Sequence, residues 1–433
     1  MLFGVLSLMS FQLVDSAFIG QLGVDPLAAL GFTIPVYQLI IGIQVGLGIA
    51  TTAVISRALG QEDIAHAKNL GGVVILMGAL VIALTCLSLW FFKVTVATAL
   101  GAEAFLLPTI IEYWHPWLFS AWTGAMLYFG YSISRANGNT LLPGLVMVFC
   151  SLLNIALDPI FIFYFDFGLP GAAYASITSF LIGGVVVFRQ IYINGWVSFT
   201  ANKTKLTLAV KQLNAITMPA TLSQFMPALS AMLATAIIAA YGATVVAAWG
   251  LGTRLEFFSI VVVLALTMSL PPMVGKLLGK NKFNDIDKLV KIAASFVLVW
   301  QLLIGLIWLV TSGLIAPLLS ADLDISSIVV SYMQLVPFSY SALGICMLMV
   351  SVCNALGMPL RALLISLVRL FVCYLPLLWL GAKMYGLTGI FCGAFLGNIM
   401  AGLLAWLTYR KTITQLIEKQ RAINELTIPA GIS

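Results

Sequence analysis

The sequence predicts an all-α membrane protein whose twelve transmembrane helices form two pseudo-symmetric six-helix bundles. Three observations carry this. The 433-residue chain is 61% hydrophobic and 8% charged, against about a quarter charged in an average soluble domain. Apolar stretches of about 20 residues, long enough to cross about 30 Å of hydrocarbon as helices, recur from end to end. They lack the two-residue alternation of membrane-barrel strands. The chain also repeats itself. Gly23 and Ala28-Ala29-Leu30-Gly31 return as Gly242 and Ala247-Ala248-Trp249-Gly250, 219 positions on. Arg57-Ala58-Leu59-Gly60-Gln61 returns as Lys276-Leu277-Leu278-Gly279-Lys280, and Ala136-Asn137-Gly138 as Ala355-Leu356-Gly357, at that same offset. Gly168-Leu169-Pro170-Gly171 returns as Gly386-Leu387-Thr388-Gly389, 218 on. A nearly constant offset over four anchors points to a duplicated bundle, the plan of transporters whose solute path lies between halves.

In chain order the spans fall at 1–20, 29–57, 70–93, 107–134, 141–164 and 169–190, then 217–240, 247–275, 289–313, 326–353, 360–381 and 386–409. The repeat divides these six and six, and an even number per half makes the halves parallel. The expected organisation is a first lobe over 1–190, a cytoplasmic connector over 191–216, a second lobe over 217–409 and a cytoplasmic tail over 410–433.

Charge supports this threading. Seventeen of the 21 Lys and Arg fall on one side: Arg57, Lys68, Arg135, Arg189, Lys203, Lys205, Lys211, Lys276, Lys280, Lys282, Lys288, Lys291, Arg361, Arg410, Lys411, Lys419 and Arg421. Lys93 and Lys383 lie at the other side, and Arg254 and Arg369 within spans. The far loops and span ends carry Asp25, Glu103, Glu112, Asp166, Asp322 and Asp324 instead. The positive-inside rule then puts both termini in the cytoplasm, and the expected location is the inner membrane of a bacterium. The net charge of +6 is spread over loop ends and calls for no nucleic-acid partner.

Several classes lose support. The six cysteines all fall inside spans, show no CxxC spacing and read as small apolar filler. His66 and His115 form no HExxH, so no metal site is expected. No serine motif or Cys/His cluster points to a membrane enzyme, and a receptor or structural protein does not explain the duplication. The apolar start has no basic n-region and is not a convincing signal peptide. At the repeat offset Met1 pairs with Ala220, leaving Pro219 and the approach from Lys211 without first-half partners. The repeat therefore leads one to expect further residues upstream of Met1.

Three acids remain inside spans: Asp15, Asp158 and Glu256. A charge at the bilayer centre costs at least about 2.5–3.5 kcal/mol on insertion scales, so such a residue faces a wet cavity, meets a cation or carries protons. Asp15 and Asp158 lie in the first lobe at similar depth. Asn154 sits four residues before Asp158, on the same helix face. Pro159 follows and removes one backbone hydrogen bond. With Gln12 a turn from Asp15, these residues are positioned to form a polar cluster. The alternative is a fixed hydrogen-bonded cluster that only orients helices. Glu256 has Tyr37 as its first-half counterpart. Arg254 does not share its helix face but is expected to belong to a structural partner network around it. The repeat puts Ala234 opposite Asp15 and Cys373 opposite Asn154. The two lobes have thus diverged in chemistry on one scaffold, and a proton-linked shape change is expected to start in the first.

The order of motifs carries a resemblance. Val14-Asp15-Ser16-Ala17-Phe18-Ile19-Gly20 is followed by Ala28-Ala29-Leu30-Gly31, Arg57-Ala58-Leu59-Gly60-Gln61 and Arg135-Ala136-Asn137-Gly138-Asn139-Thr140. Asn154-Ile155-Ala156-Leu157-Asp158 and Gly171-Ala172-Ala173-Tyr174-Ala175-Ser176 complete the series. Over essentially its whole length the chain resembles the multidrug and toxic compound extrusion (MATE) family, in its DinF-type branch. The resemblance implies a cation-coupled exporter of amphipathic, often cationic drugs that alternates between outward- and inward-open states. It implies that Asp15 is the first-helix proton acceptor, whose protonation bends that helix and closes the drug cavity. Asn154 and Asp158 match the fifth-helix polar pair, and Ser176 stands where the family usually has Thr. Phe11 stands where the family has a first-helix tyrosine. Glu256 matches second-lobe acids of sodium-coupled relatives.

The expectation is proton-driven antiport by a monomer, with small organic cations as solutes, the bilayer as surroundings and no cofactor beyond the coupling ion. Asp15, Asp158, Asn154 and Ser176 are the coupling candidates. Gln12, Phe11, Tyr37, Tyr131 and Glu256 are candidates for touching the solute, with aromatic faces offering stacking or cation–π contact. The alternatives are sodium-coupled drug antiport and, in the wider superfamily, flipping of lipid-linked oligosaccharides. A pyrophosphate site needs cations, and Arg254 and Arg369 are the ones within spans.

Overall fold

The computed structural model describes residues 1–199, 203–320 and 322–427. These residues form helices, turns and loops with no strand among them. The chain divides into two compact units, Met1–Phe225 and Met226–Ser433.

In the first unit the helices are α1 (Leu2–Gln21), α2 (Val24–Gly60), α3 (Ile64–Phe91), a short α4 (Lys93–Ala99), α5 (Leu107–Ala136), α6 (Leu141–Pro159) and α7 (Gly168–Ile193). α8 (Lys203–Ala239) begins in this unit and ends in the second. The second unit continues with α9 (Ala243–Ser259), α10 (Val261–Gly279), α11 (Phe283–Leu319), α12 (Leu323–Leu335), α13 (Tyr340–Ala355), α14 (Pro359–Leu367) and α15 (Leu375–Thr427). α12 joins α13 through a 3-10 turn at Val336–Ser339 that contains Pro337. α15 is two helices meeting at a kink, where Tyr385 and Gly386 leave helical geometry. Every span read from the sequence is helical, with interruptions inside 247–275, 326–353 and 360–381.

The repeat anchors are turns that need a left-handed residue. Gly23 and Gly242 have φ of 120° and 102°, and Gly138 and Gly357 have 92° and 73°. Gly168 and Gly386 both have φ of 56°, while Glu62 and Asn281, also paired at the offset, have 62° and 56°. A Cβ is disfavoured there, so the three glycine pairs are kept while the helices between them diverge, and Glu62 and Asn281 take the same geometry without glycine.

Helix surfaces show what the units were built to sit in. Leu76, Leu80, Leu84 and Leu87, spaced along one stripe of α3, are all more than 49% exposed. A stripe of that kind on a water-soluble protein would be an aggregation hazard, whereas in hydrocarbon it is the expected face. Inside, Leu47, Ile55, Leu70, Trp114 and Phe129 anchor the first core. Val263, Leu270, Met349, Val352 and Cys353 anchor a second-unit core.

Three features depart from straight spans. The stretch read as one span over 247–275 breaks at Ile260 between α9 and α10. Buried Gln301 donates to the Ser259 carbonyl at 3.0 Å and Trp308 Nε1 to its hydroxyl at 2.8 Å, so the interruption has its own partners. α6 passes after Pro159 into a π segment, Ile160–Tyr164. α14 likewise passes into a π segment, Val368–Tyr374. The fifth span of each half is therefore irregular, the form in which π-bulges concentrate at functional positions.

The expected connector over 191–216 is partly helical, because α8 starts at residue 203. Its Ala209, Leu213 and Ile216 pack into the first core. The side chains of His66 and Gln212 share a 3.2 Å hydrogen bond there. The expected tail over 410–433 continues α15 as far as residue 427. Connector residues 200–202 and tail residues 428–433 lie outside the described residues.

Candidate functional site: a carboxyl pair in the first unit

The fifth span organises the site. Asp158 is the last residue of α6 before Pro159, and it is 0% exposed. Pro159 has no N–H to give the preceding turn, and the helix relaxes into the π segment beyond it. α7 comes against that segment at Gly171. A Cβ there would lie 2.7 Å from the Phe161 carbonyl oxygen and 2.9 Å from Ile162 Cα, so only glycine permits the approach. This contact sets α7, and with it Ser176, against α6.

Asn154 joins the two helices. It is 1% exposed, one turn before Asp158 on the same face. Its amide is oriented by its neighbours. Nδ2 donates to Asp158 Oδ2 at 3.0 Å and Oδ1 at 3.3 Å, while its own Oδ1 accepts from the Ser176 N–H at 3.1 Å and hydroxyl at 3.0 Å. The reversed amide would set its oxygen against the carboxylate and its NH2 against the Ser176 N–H.

Asp15 reaches this centre from the middle of α1, which packs on α6. A Cβ at Gly4 would lie 3.0 Å from both the Gly144 carbonyl and Met147 Cβ, so the two helices touch closely near their starts. Near the other end Phe18 meets Phe163 edge-on with centroids 6.3 Å apart. Asp15 Oδ1 is enclosed and accepts no hydrogen bond from the protein. Asp15 and Asp158 lie within electrostatic reach of each other. Among the described residues, no Lys, Arg or His comes within 4.0 Å of either carboxylate.

Aromatic side chains surround the pair. Tyr37, on α2 two residues after Pro35, lies beside Gln12 and Asp15. Tyr113, buried on α5, lies within reach of Asp15, Asp158 and Tyr37 together. Trp117 packs between the two tyrosines, with centroids 6.5 Å from Tyr37 and 6.3 Å from Tyr113. Trp114 Nε1 donates to Thr33 Oγ1 at 2.9 Å and ties α5 to α2.

The structure thus brings together Asp15, Asp158, Asn154, Ser176, Gln12 and Tyr37. Phe11, half-buried one turn before Asp15, lies on the same helix. Tyr131 stands apart from them, beside Cys150 and near Arg135. Tyr113 was missed by the sequence reading. Its signal was the repeat, since Tyr332 is the same residue type 219 positions on.

Glu256 lies in the second unit in an arrangement of its own. Its carboxylate lies beside Tyr332, and the charged group within electrostatic reach of it is Arg369 of the π segment. Tyr332 and Tyr340 share a 2.9 Å hydroxyl contact, and Tyr374 lies close by. Arg254 is exposed, two residues away, and is not the residue facing the carboxylate; the network expected around it is built on Arg369 instead. The symmetry is legible in the contacts. Tyr37 lies near Tyr113 in the first unit, and their repeat counterparts, Glu256 and Tyr332, lie near each other in the second.

Comparison with known proteins follows the same outline. The family model MatE matches residues 1–160 and 219–380. The structure is similar to the crystal structure of the Vibrio cholerae MATE transporter VcmN in its bent form. The TM-score is 0.95 at 54% identity, over 96% of this chain and 95% of that one. An FAD transporter of Shewanella oneidensis is 29% identical over 94% of this chain and 91% of its own length. The multidrug export protein MepA of Staphylococcus aureus is 24% identical over 94% and 90%. Solved MATE transporters have twelve helices in two bundles. With the family match, the whole-length likeness and the same twelve-helix plan in hand, this chain belongs to the MatE family and is a MATE transporter rather than an enzyme.

Proposed function

We propose that this transporter is a secondary active exporter of amphipathic organic cations, driven by protons that exchange at Asp15 and Asp158. The observation that carries the reading is a pair of carboxyls, Asp158 buried and Asp15 half-buried with one enclosed oxygen, within reach of each other and with no counter-cation within 4.0 Å among the described residues. A carboxylate held in an ion pair is already neutralised. One without a partner is free to trade its charge for a proton or for a cationic solute, and that exchange is what antiport requires. Asn154 and Ser176 orient Asp158, while Gln12, Tyr37 and Tyr113 supply polar and aromatic surface beside Asp15. Glu256 differs, because Arg369 lies within electrostatic reach of it and Tyr332 beside it. The exporter works by alternating access, as a monomer in a bacterial inner membrane with both termini cytoplasmic, the side chosen by the Lys and Arg bias.

A second reading concerns the solute alone. The FAD transporter relative favours a flavin dinucleotide in place of an organic cation. Purified protein in vesicles with an imposed proton or sodium gradient tests both. Efflux of a cationic dye driven by the proton gradient, and lost in Asp15→Asn at equal abundance, supports the proposal. Efflux that follows sodium alone, or that survives the substitution, removes it. FAD efflux without dye efflux selects the second reading.

A further inference from the structure

Arg135, four-fifths of the way along the first unit's sequence from Leu107 to the α6 start, is a buried cation that the carboxyl site does not use. It is 3% exposed, near the end of α5. Nη2 donates to Ser132 Oγ at 2.8 Å, and Ser132 Oγ in turn donates to the Tyr128 carbonyl at 3.0 Å. The guanidinium lies over the Tyr128 ring, 5.2 Å from its centroid. Nη1 is enclosed and finds no acceptor. Among the described residues no carboxylate lies within 4.0 Å of it.

The surroundings hold the group in place. Tyr128 and Ser132 pack against α2 at Gly48, where a Cβ would lie 2.4 Å from the Tyr128 ring and 2.9 Å from Ser132 Oγ. The absent side chain is what admits both. A scaffold role does not need the charge, because the repeat partner of Arg135 is Asn354, a neutral amide that is 2% exposed. A fixed guanidinium with a free N–H and no counter-ion is matched chemically by an oxyanion, which accepts charge-assisted hydrogen bonds from its planar fork.

We propose that Arg135, with Ser132 beside it, is an anion subsite of the first unit that receives a phosphate, either carried on a transported solute or free. The proposal rests on the reading of this chain as a solute exporter. Enclosure means that the anion arrives when the neighbouring helices part, so binding is measured at equilibrium on the full chain in detergent.

Flavin mononucleotide and riboflavin make the probe pair, because they share ring and side chain and differ by one phosphate. The native protein is expected to bind the mononucleotide about tenfold more tightly, the scale of one charge-assisted contact. Arg135→Gln brings the two within about twofold, and Arg135→Lys, which keeps charge but loses the fork, falls between. Should the Gln variant not fold, the Lys variant carries the test by the same ratio. Inorganic phosphate separates the sources: a rise in Tm with phosphate alone, abolished by Arg135→Gln, assigns the subsite to the free ion. Equal binding of the two flavins by the native protein with no phosphate effect overturns the subsite, as does a preference or Tm rise that the substitutions leave unchanged. Proton-driven dye efflux is read separately through Asp15, so either idea can fail while the other stands.

Discussion

Replacing Asn154 by cysteine isolates the amide that joins α6 to α7. The second half carries Cys373 at the equivalent position, fully buried, so a thiol there is compatible with this scaffold. In Asn154→Cys the carboxylate of Asp158 loses donors at 3.0 and 3.3 Å, and Ser176 loses its acceptor. A hydrogen bond to a charged group contributes about 1.5–3 kcal/mol, and the two donors come from one NH2, so they do not add. The thiol is a weak donor and too short to restore the bridge. Misorientation worth about 1.5–3 kcal/mol converts to a drop of about 10- to 150-fold in efflux, if Asp158 must be held in position for its exchange. The assay is dye efflux from vesicles under a fixed proton gradient, with protein abundance and Tm measured on the same preparation. Efflux above half the native rate at normal abundance would show that Asp158 needs no such orientation and would refute the reasoning.

Other outcomes follow from neighbouring contacts. Gly171→Ala drives a Cβ into the Phe161 and Ile162 backbone, which cannot turn aside; Tm should fall by the equivalent of about 1–3 kcal/mol, and an unchanged Tm contradicts the close approach. Glu256→Gln keeps a polar side chain beside Tyr332 and should retain substantial proton-driven efflux, while Asp158→Asn loses most of it; the reverse order of damage moves the coupling site to the second unit. Cysteine labels at Asp166 and Asp324 should react from outside intact cells and a label at Lys282 only after permeabilisation, and the opposite pattern at either side overturns the threading.

Much of this architecture is readable from one sequence because hydrocarbon imposes a simple rule. A spanning segment must satisfy its own backbone, so each long apolar run is a helix. The offset of 219 marks turns whose left-handed geometry constrains residue type in both halves, which is why Gly23 and Gly242 remain alike. What escaped reading is local irregularity. Pro159 announced a lost hydrogen bond but not the π turn after it. The break at Ile260 contains neither proline nor glycine, and its partners Gln301 and Trp308 are more than 40 residues away in sequence.

The carboxyl site was partly legible for the same reasons. Asp158 and Asn154 are one turn apart, so helical periodicity alone places them together. Asp15 belongs with them only through the packing of α1 on α6, which periodicity does not encode. Glu256 and Arg369 show the limit most clearly. Neighbouring Arg254 was the visible candidate for the network, whereas the residue that faces the carboxylate lies on a helix 113 positions later. A single sequence lists charges but does not say which of them meet.

The central claim is that a proton and a cationic solute exchange at Asp15 and Asp158. It is tested most directly by measuring proton release when a cationic dye is added to purified protein in weakly buffered detergent solution near neutral pH. The account predicts release from the native protein that saturates with dye binding, and its loss in the Asp15→Asn, Asp158→Asn double variant. Dye binding with no proton release from the native protein, or equal release from the double variant, would contradict it.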